Sequence, residues 1–251
     1  MCRLLGLLGP FKNWHEILFN FQNQSQTGKV PPGAPLGHHD GWGMAASLNR
    51  SPMILIDKRS ESAYKSQNYL NAVSRISGKP LALLAHLRKA SPGINVNLKN
   101  VHPFFSFPWA FIHNGTFYNA ENLPRNKNLE LTSDGSDSEF FFHFLLTFLL
   151  NQSTIEENWS NFVQMVLKSD YRFTAINSIF TNGTDLYAIR WWTKNPEYYT
   201  LYLNFNSLEG AIVSSEPISL PQLDKNHWRE IPNQSLIRVT STPLNFTIVC
   251  G

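Results

Sequence analysis

Short apolar runs separated by polar turns dominate the pattern of hydrophobic and polar positions along this chain. The first run, from Arg3 to Leu8, predicts a buried strand that starts almost at the first residue. Asn182-Gly183 lies between two later runs and is a hairpin turn signal. Further strands are predicted at 42–48, 53–56, 81–87, 109–113, 173–180, 186–192, 199–203, 211–214, 235–240 and 246–249.

A helical spacing of apolar residues replaces this pattern in segments 11–21, 69–76, 136–150 and 155–168. The third helix is predicted to start after Ser136 as its N-cap, with Glu139 in the capping-box position. Its apolar run is shorter than the ~20 residues that a membrane-spanning helix needs, which indicates a buried core helix. No linker or repeat divides the chain, so the pattern predicts one α+β domain with mainly antiparallel sheet.

Composition excludes several classes of protein. Charged residues make up 16% of the 251 positions, against ~25% in an average soluble domain, and the net charge is +3. Lys and Arg form no dense run, so we expect no nucleic-acid partner. The N-terminal apolar run is too short for a signal-peptide core, and we expect a cytoplasmic protein that does not bind membranes. Two cysteines, Cys2 and Cys250, make no disulfide framework.

Cys2 is the first candidate for chemistry. Removal of Met1 would leave a thiol and a free α-amino group on one residue. Such an amine titrates at ~7.7–8.0 and can act as a general base. An N-terminal amine is also a recognised activator of a nucleophilic side chain. The alternative for an isolated cysteine is an inert, buried small hydrophobe.

Asn114 and Gly115 follow the predicted strand 109–113 and are the second candidate. An Asn side chain beside a glycine N–H can supply the two donors that stabilise the oxyanion of an acyl transfer. The alternative is a tight turn that closes a hairpin, because Asn-Gly is the strongest hairpin signal.

His86, Arg88 and Asp137 are candidates for binding a substrate. Alternation in the strand 81–87 puts His86 and Arg88 on one face, where a guanidinium could grip a carboxylate. Asp137 precedes an apolar helix and could receive a substrate ammonium group. The alternatives are a solvent-facing arginine and an ordinary helix cap.

A metal centre is the other chemistry to weigh. Adjacent His38 and His39 would point apart in a strand, and the chain has no HExxH or CxxC pattern. We therefore predict neither a metal nor an organic cofactor, although the chain holds several residues of ligand type: His38, His39, Asp40, His86, His102 and His113.

The ordered set of these motifs along the chain points to a protein family more specifically than any single motif does. They resemble the class II glutamine amidotransferases, and most closely the stand-alone γ-glutamyl amidohydrolase-like members. The likeness covers essentially the whole chain and rests on Met1-Cys2-Arg3-Leu4-Leu5-Gly6, Gly37-His38-His39-Asp40-Gly41-Trp42-Gly43, His86-Leu87-Arg88, His102-Pro103-Phe104, His113-Asn114-Gly115 and Ser136-Asp137-Ser138-Glu139.

The resemblance implies the four-layer αββα sandwich of N-terminal nucleophile hydrolases, formed by a single domain over residues 2–251 with Met1 removed. It makes Cys2 the nucleophile and its own amino group the base. Asn114 and Gly115 match the oxyanion hole, Arg88 the residue that grips the substrate α-carboxylate, and Asp137 the one that receives the α-ammonium. His86 lies in a motif position and is expected to support substrate binding.

The function that the resemblance implies is cysteine-dependent hydrolysis of the side-chain amide of glutamine or a γ-glutamyl compound, through a thioester. Two alternatives stay open. The chain could be a glutaminase subunit that delivers ammonia to a separate synthase partner, or a non-catalytic binding protein that keeps the fold. A binding protein has no need of the complete set of candidate residues, which favours the enzyme.

Overall fold

The computed structural model describes residues 2–48, 51–76, 78, 80–91, 96–126, 129–149, 154–221, 223 and 227–251. These residues form two antiparallel sheets and four α-helices. The predicted loop at 91–103 and the turn at 49–52 lie partly outside the described residues.

The first sheet contains the N-terminal strand at its centre. Its strands are β1 (Arg3–Leu8), β2 (Trp42–Ser47), β3 (Ile54–Arg59), β4 (Ala82–Leu87), β9 (Tyr202–Asn206), β10 (Gly210–Ser214) and β11 (Trp228–Glu230). Within the described residues they pair antiparallel in the order β11-β9-β10-β1-β4-β2-β3. β1 therefore lies between β4 and β10, with Leu4 opposite His86 and Leu5 opposite Ser214.

The second sheet stacks on the first. Its strands are β5 (Phe104–Ser106), β6 (Trp109–Phe117), β7 (Phe173–Thr181), β8 (Asp185–Arg190), β12 (Ser235–Ser241) and β13 (Leu244–Cys250). Their order over the described part of the chain is β13-β12-β8-β7-β6-β5. All neighbours pair antiparallel, and β7 and β8 are joined by the predicted Asn182-Gly183 turn.

Four helices cover the outer faces of the two sheets. They are α1 (Trp14–Thr27), α2 (Gln67–Arg75), α3 (Asp137–Leu149) and α4 (Ile155–Lys168). The first two pack on the first sheet and the last two on the second. The predicted four-layer αββα sandwich is therefore confirmed.

Burial on both faces explains why β1 has a continuous apolar sequence. Leu5 and Leu7 pack among the residues of α1 and α2, whereas Leu4 and Leu8 pack between the two sheets. A strand covered on both sides has no polar face, so it loses the alternation that marks a half-exposed strand. This packing fixes the position of Cys2, which immediately precedes β1.

Several predicted elements differ from the structure in ways that matter for the site. The predicted strand 109–113 continues to Phe117, so Asn114-Gly115 does not form a hairpin turn. Glu139 does not complete a capping box with Ser136, because its carboxylate accepts bonds from Thr132 and Ser133 instead. The short strands β5 and β11 were not predicted, since each has only three residues.

Candidate active site

Cys2 is buried at the start of the central strand of the first sheet, with 8% of its surface exposed. Its backbone nitrogen donates a hydrogen bond to Asn114 Oδ1 across the gap between the sheets, at 2.9 Å. Its Sγ lies 3.8 Å from the carbonyl oxygen of Lys89. The first sheet thus supplies the thiol, and the second supplies the side chain that contacts the same residue.

Asn114 lies within β6, opposite Asn177 of β7. Because its Oδ1 accepts the bond from Cys2, its Nδ2 points the other way, and this buried atom has no partner among the residues that the structure describes. A buried unpaired donor is costly, so such a group in a native site requires an explanation. A negatively charged oxygen of a bound substrate would satisfy it.

Gly115 lies where no side chain fits. A Cβ at this position would come within 1.8 Å of the carbonyl oxygen of Ala175 on β7. The pairing of β6 with β7 shifts register between Gly115 and Phe117, which is typical of a β-bulge. Bulges re-aim backbone and side-chain groups, and they are frequent next to active sites.

Arg88 follows β4 and is 6% exposed, so the alternative of a solvent-facing arginine is wrong. Its backbone N–H donates to Gly41 O, and its carbonyl accepts from the N–H of Asp40. The Asp40 carboxylate in turn accepts a bond from the N–H of Ala90 at 2.8 Å. Among the described residues, the guanidinium donates one long hydrogen bond, from Nη1 to Asp40 O at 3.4 Å, which leaves further donors for a ligand.

Asp137 is the first residue of α3. Its Oδ2 accepts a hydrogen bond from the N–H of Phe117 at 2.8 Å, which ties the helix start to the end of β6. The side chain therefore reaches beyond its own helix, and it lies at the wall of the same cavity as Cys2.

The cavity between these groups has a volume of about 330 Å³. It lies where the ends of β1, β4 and β6 meet the start of α3. The lining brings together Cys2, Arg88, Gly115 and Asp137 with two histidines and the loops beside them: Lys89, Ala90, Ser91, Asn100, His102, His113, Thr116, Asp134, Gly135, Ser136 and Ser138.

His86 is fully buried and does not line this cavity among the described residues. Its ring packs against that of His102 with the centroids 4.2 Å apart and the planes tilted by 46°, and His102 lines the wall. A role for His86 in substrate binding would therefore act through His102, and it stays a prediction. His113 also lines the wall, where its Nδ1 contacts Ser138 Oγ at 2.9 Å.

Four buried imidazoles around the site are uncharged at neutral pH. Burial lowers the pKa of His38 to about 2, and the positive charge of Arg3 acts in the same direction. Burial, then Arg88, lowers the pKa of His86 to about 3. Burial lowers the pKa of His102 well below its usual range and that of His113 to about 4, although Asp137 opposes the last shift.

Glu139 holds the loop that forms one wall of the cavity. Its Oε1 accepts bonds from the N–H and the hydroxyl of Thr132 at 2.8 and 2.7 Å, and its Oε2 accepts from the N–H of Ser133 at 2.8 Å. These bonds lower the pKa of Glu139 although burial acts in the opposite direction. The loop leads directly into the lining residues Asp134 and Gly135.

The sequence assigned no role to two buried side chains near the site, those of Arg3 and Ser138. Arg3 follows Cys2 and is completely buried, although nothing in an isolated sequence assigns a task to it. A charged residue at the start of an otherwise apolar, doubly covered strand is the signal that could have found it. Ser138, the partner of His113, has no sequence signal because the contact joins β6 to α3.

Comparison with known proteins agrees with this geometry. A family model described as glutamine amidotransferases class-II matches residues 1–195. The chain belongs to this family. A cysteine-dependent hydrolysis of a glutamine amide is consistent with that membership. No curated protein sequence matches the chain.

Solved structures of class II glutamine amidotransferases share its fold. A glutamine aminotransferase class-II domain protein from Silicibacter pomeroyi is 16% identical with a TM-score of 0.59, and each chain covers 100% of the other. A predicted glutamine amidotransferase from Pseudomonas aeruginosa is 15% identical, with a TM-score of 0.51 and coverage of 96% and 94%. The glutamine phosphoribosylpyrophosphate amidotransferase of B. subtilis is 16% identical with a TM-score of 0.66; the match covers 98% of this chain and 49% of that one.

Neither a metal nor a membrane-spanning site is visible in the part of the chain that the structure describes. No three His, Cys, Asp or Glu side chains converge there in a way that could hold a metal ion. No described helix is long and apolar enough to cross a bilayer.

Proposed function

We propose that this class II glutamine amidotransferase hydrolyses the side-chain amide of glutamine or of a γ-glutamyl compound through a γ-glutamyl thioester on Cys2. The observation that carries the proposal is the 2.9 Å contact between Cys2 N and Asn114 Oδ1. It holds the thiol-bearing residue against an amide whose Nδ2 is buried and has no partner in the described part of the chain. Nucleophile and oxyanion donor are therefore neighbours.

The substrate head is proposed to bind between Arg88 and Asp137, which line the cavity together with Cys2. The planar guanidinium can pair with both oxygens of an α-carboxylate, and the aspartate can accept from an α-ammonium. A cavity of about 330 Å³ has the size of a small-molecule site. The proposed ligand is thus a free amino-acid head whose side chain carries the amide.

In the first half-reaction the α-amine of mature Cys2 takes the thiol proton, and the sulfur attacks the amide carbon. A C–S bond forms, and the carbonyl oxygen becomes an oxyanion that Asn114 Nδ2 and the N–H of Gly115 stabilise. As the C–N bond breaks, the α-ammonium returns its proton to the departing nitrogen. The products are ammonia or a free amine and the γ-glutamyl thioester.

In the second half-reaction water attacks the thioester carbon while the same α-amine accepts a proton from it. The oxyanion donors act again, the C–S bond breaks, and the thiolate regains a proton from the α-ammonium. Free glutamate leaves. This cycle requires that Met1 be removed, because the nitrogen of Cys2 is otherwise an amide that cannot accept a proton.

Glutamate release from glutamine and from a series of γ-glutamyl amides tests the proposal. We expect Cys2→Ala to abolish release and to leave the melting temperature nearly unchanged, because the thiol contributes little packing. Intact mass of the active preparation should correspond to a chain that begins at Cys2. Release that survives Cys2→Ala, or full activity in a preparation that uniformly retains Met1, contradicts the mechanism.

The same assay separates the two alternatives. An ammonia-delivering subunit would act on glutamine, and its activity would rise when a co-purifying synthase is added. A binding protein would release no glutamate from any member of the series, while a γ-glutamyl ligand would still raise its melting temperature.

A further inference from the structure

Arg3 is completely buried and is the first residue after the nucleophile. Its Nε donates to the carbonyl oxygen of Cys2 at 2.9 Å, and its Nη1 forms an ion pair with Glu216 Oε1 at 2.6 Å. The guanidinium carbon lies 4.8 Å from the centre of the Tyr198 ring. The guanidinium is thus fixed by three neighbours, one of which is the backbone of Cys2.

Glu216 is itself held in place. Its Oε1 also accepts a bond from the N–H of Lys29 at 2.7 Å. The preceding residue, Ser215, pairs with Leu4 twice, because Leu4 N donates to Ser215 Oγ and Ser215 N donates to Leu4 O, both at 3.0 Å. The segment after β10 is therefore hydrogen-bonded to Leu4 of β1, and it also supplies Glu216, the counter-ion of Arg3.

The chain also leaves room for the arginine stem. A Cβ at Gly28 would lie 3.1 Å from Arg3 Cδ and 2.6 Å from the carbonyl oxygen of Gln24. A side chain there would press on the aliphatic part of Arg3 as well as on the end of α1. Burying an ion pair costs several kcal/mol of desolvation, and apolar side chains often replace such a pair without loss of stability. Stability is therefore a weak explanation for this arrangement.

We infer that Arg3 and Glu216 are positioning residues for Cys2: Arg3 fixes its carbonyl group and biases its α-amine toward the uncharged, proton-accepting form. The carbonyl oxygen and the nitrogen of one residue are three bonds apart, so the guanidinium charge lies close to the amine. A neighbouring positive charge disfavours the ammonium form, and the carboxylate of Glu216 partly offsets this effect. The inference rests on the proposed function, in which that amine is the base.

Other titratable groups around Cys2 leave the charge of Arg3 prominent. Burial keeps two nearby histidines uncharged at neutral pH and raises the pKa of two nearby tyrosines. Besides the Cys2 thiol and Glu216, the titratable groups around the start of β1 include Arg3, His38, His86, Arg88, Lys89, Tyr198 and Tyr199, and the cavity beside Cys2 is also lined by His102, His113 and Asp137. Of the cations in this set, Arg3 is the one that donates to the backbone of Cys2.

The pH dependence of kcat/KM in Arg3→Met and Glu216→Gln tests the inference. Loss of the cation should move the acidic limb to higher pH by about one unit, because the amine then holds its proton more tightly. Loss of the anion should move the same limb to lower pH, by less, since Glu216 is farther from the amine. A merely structural pair would lower activity in both variants without shifts of opposite sign. Absent shifts, or shifts of the same sign, overturn the inference.

Arg3→Lys and Arg190→Met are the matched variants. Lysine keeps the charge but loses the planar fork, so the limb should stay near its wild-type pH while kcat falls and KM changes little. Arg190 is another buried arginine, and its Nη2 lies 2.6 Å from Oε1 of the exposed Glu230. Its loss should lower the melting temperature as Arg3→Met does and leave the limb in place. A limb in Arg3→Lys that moves as far as in Arg3→Met contradicts the charge effect.

Alkylation by iodoacetamide provides a readout that needs no substrate. The rate at Cys2 is followed by peptide mass spectrometry across pH, with the exposed Cys250 of the same molecule as reference. We expect the midpoint at Cys2 to rise in Arg3→Met and to fall in Glu216→Gln, with no change at Cys250. If no γ-glutamyl amide is hydrolysed, the proposed function fails while this measurement still shows whether the charges of Arg3 and Glu216 act on Cys2. An unchanged midpoint at Cys2 in both variants overturns it.

Discussion

At the scale of single residues, the oxygen and the nitrogen of the Asn114 side-chain amide have different surroundings. Oδ1 accepts from the nitrogen of Cys2, and Nδ2 is buried with no partner among the described residues. In the proposed mechanism, one side chain therefore orients Cys2 and stabilises the oxyanion at the same time. The rigidity of a paired strand makes this double use possible, because Asn114 lies opposite Asn177 in the pairing of β6 with β7.

Asn114→Asp should separate the two tasks. A carboxylate still accepts a bond from the nitrogen of Cys2, but it offers no donor to the oxyanion and places a negative charge beside it. Loss of one oxyanion donor costs ~10²–10³ in kcat, so we expect at least that reduction. Alkylation of Cys2 by iodoacetamide should proceed within a few-fold of the wild-type rate. A kcat within ~10-fold of wild type would exclude Asn114 from the oxyanion hole.

Arg88 and Asp137 should make a free amino-acid head essential. Removing the substrate α-carboxylate, or acylating its α-amine, should lower kcat/KM by ~10²-fold, equivalent to ~2.7 kcal/mol. Arg88→Lys should not restore the wild-type value, because an ammonium lacks the fork. The measurement is a matched series of γ-glutamyl amides assayed with wild type, Arg88→Lys and Asp137→Asn. Equal turnover with and without the head would mean that the two residues are structural.

At the scale of elements, the loop before α3 depends on one buried carboxylate. Glu139 accepts bonds from Thr132 and Ser133 and so holds the wall that contains Asp134. The same loop is tied to the segment before the lining residue Asn100, because Lys99 Nζ lies 2.9 Å from Asp134 Oδ1. This second tie is exposed and contributes little, so Glu139 is the main anchor.

Glu139→Gln should loosen this wall. An amide turns one NH₂ toward a backbone donor, which removes an acceptor and costs ~1–3 kcal/mol of unfolding free energy. We expect a higher KM with a smaller change in kcat, since Cys2 and Asn114 lie on other elements. Glu130→Gln, at an exposed position near the loop, is the control and should leave both constants unchanged. A fall in kcat with unchanged KM would contradict the assignment of Glu139 to the cavity wall.

The elements also show what the sequence could and could not predict. Apolar spacing gave α4 its observed bounds, Ile155–Lys168, because its buried face follows the helical period. It stopped β6 at His113, because Asn114-Gly115 is a turn signal locally and a strand segment only once β7 pairs with it. The motif residues could be assigned through resemblance. The Arg3–Glu216 ion pair and the His113–Ser138 hydrogen bond join segments that are distant in the sequence. No local sequence pattern predicts them.

At the scale of the whole molecule, the αββα sandwich places the site where strands from both sheets end. The first sheet contributes Cys2 and Arg88, the second contributes Asn114, and an outer helix contributes Asp137. Such an arrangement buries polar groups deeply, and four imidazoles are among them. Their burial makes the stability of the fold depend on pH over a range in which most carboxylates are still ionised.

Acid should unfold the protein near pH 5. The pKa values of His38, His86, His102 and His113 are lowered in the fold, so below 6.5 the unfolded chain binds protons that the folded chain excludes. The free energy of unfolding therefore falls as the pH drops from 6.5 toward the folded-state values. At pH 5 His38, His86 and His113 each cost about 2 kcal/mol, so these three together cost about 6 kcal/mol, and burial of His102 acts in the same direction, against a typical total stability of 5–15 kcal/mol.

Urea unfolding at pH 7.5 and pH 5.0 measures this dependence. The free energy of unfolding should fall steeply between the two values in the wild type, and by about 2 kcal/mol less in His86→Gln, which removes one of the four groups. For each variant, the free energy of unfolding at pH 5.0 is subtracted from that at pH 7.5. This difference cancels any loss of packing that the substitution causes equally at both pH values. His15→Gln, at an exposed position, is the matched control and should keep the wild-type difference. A wild-type difference below ~2 kcal/mol would mean that the buried histidines take up protons while the fold remains intact.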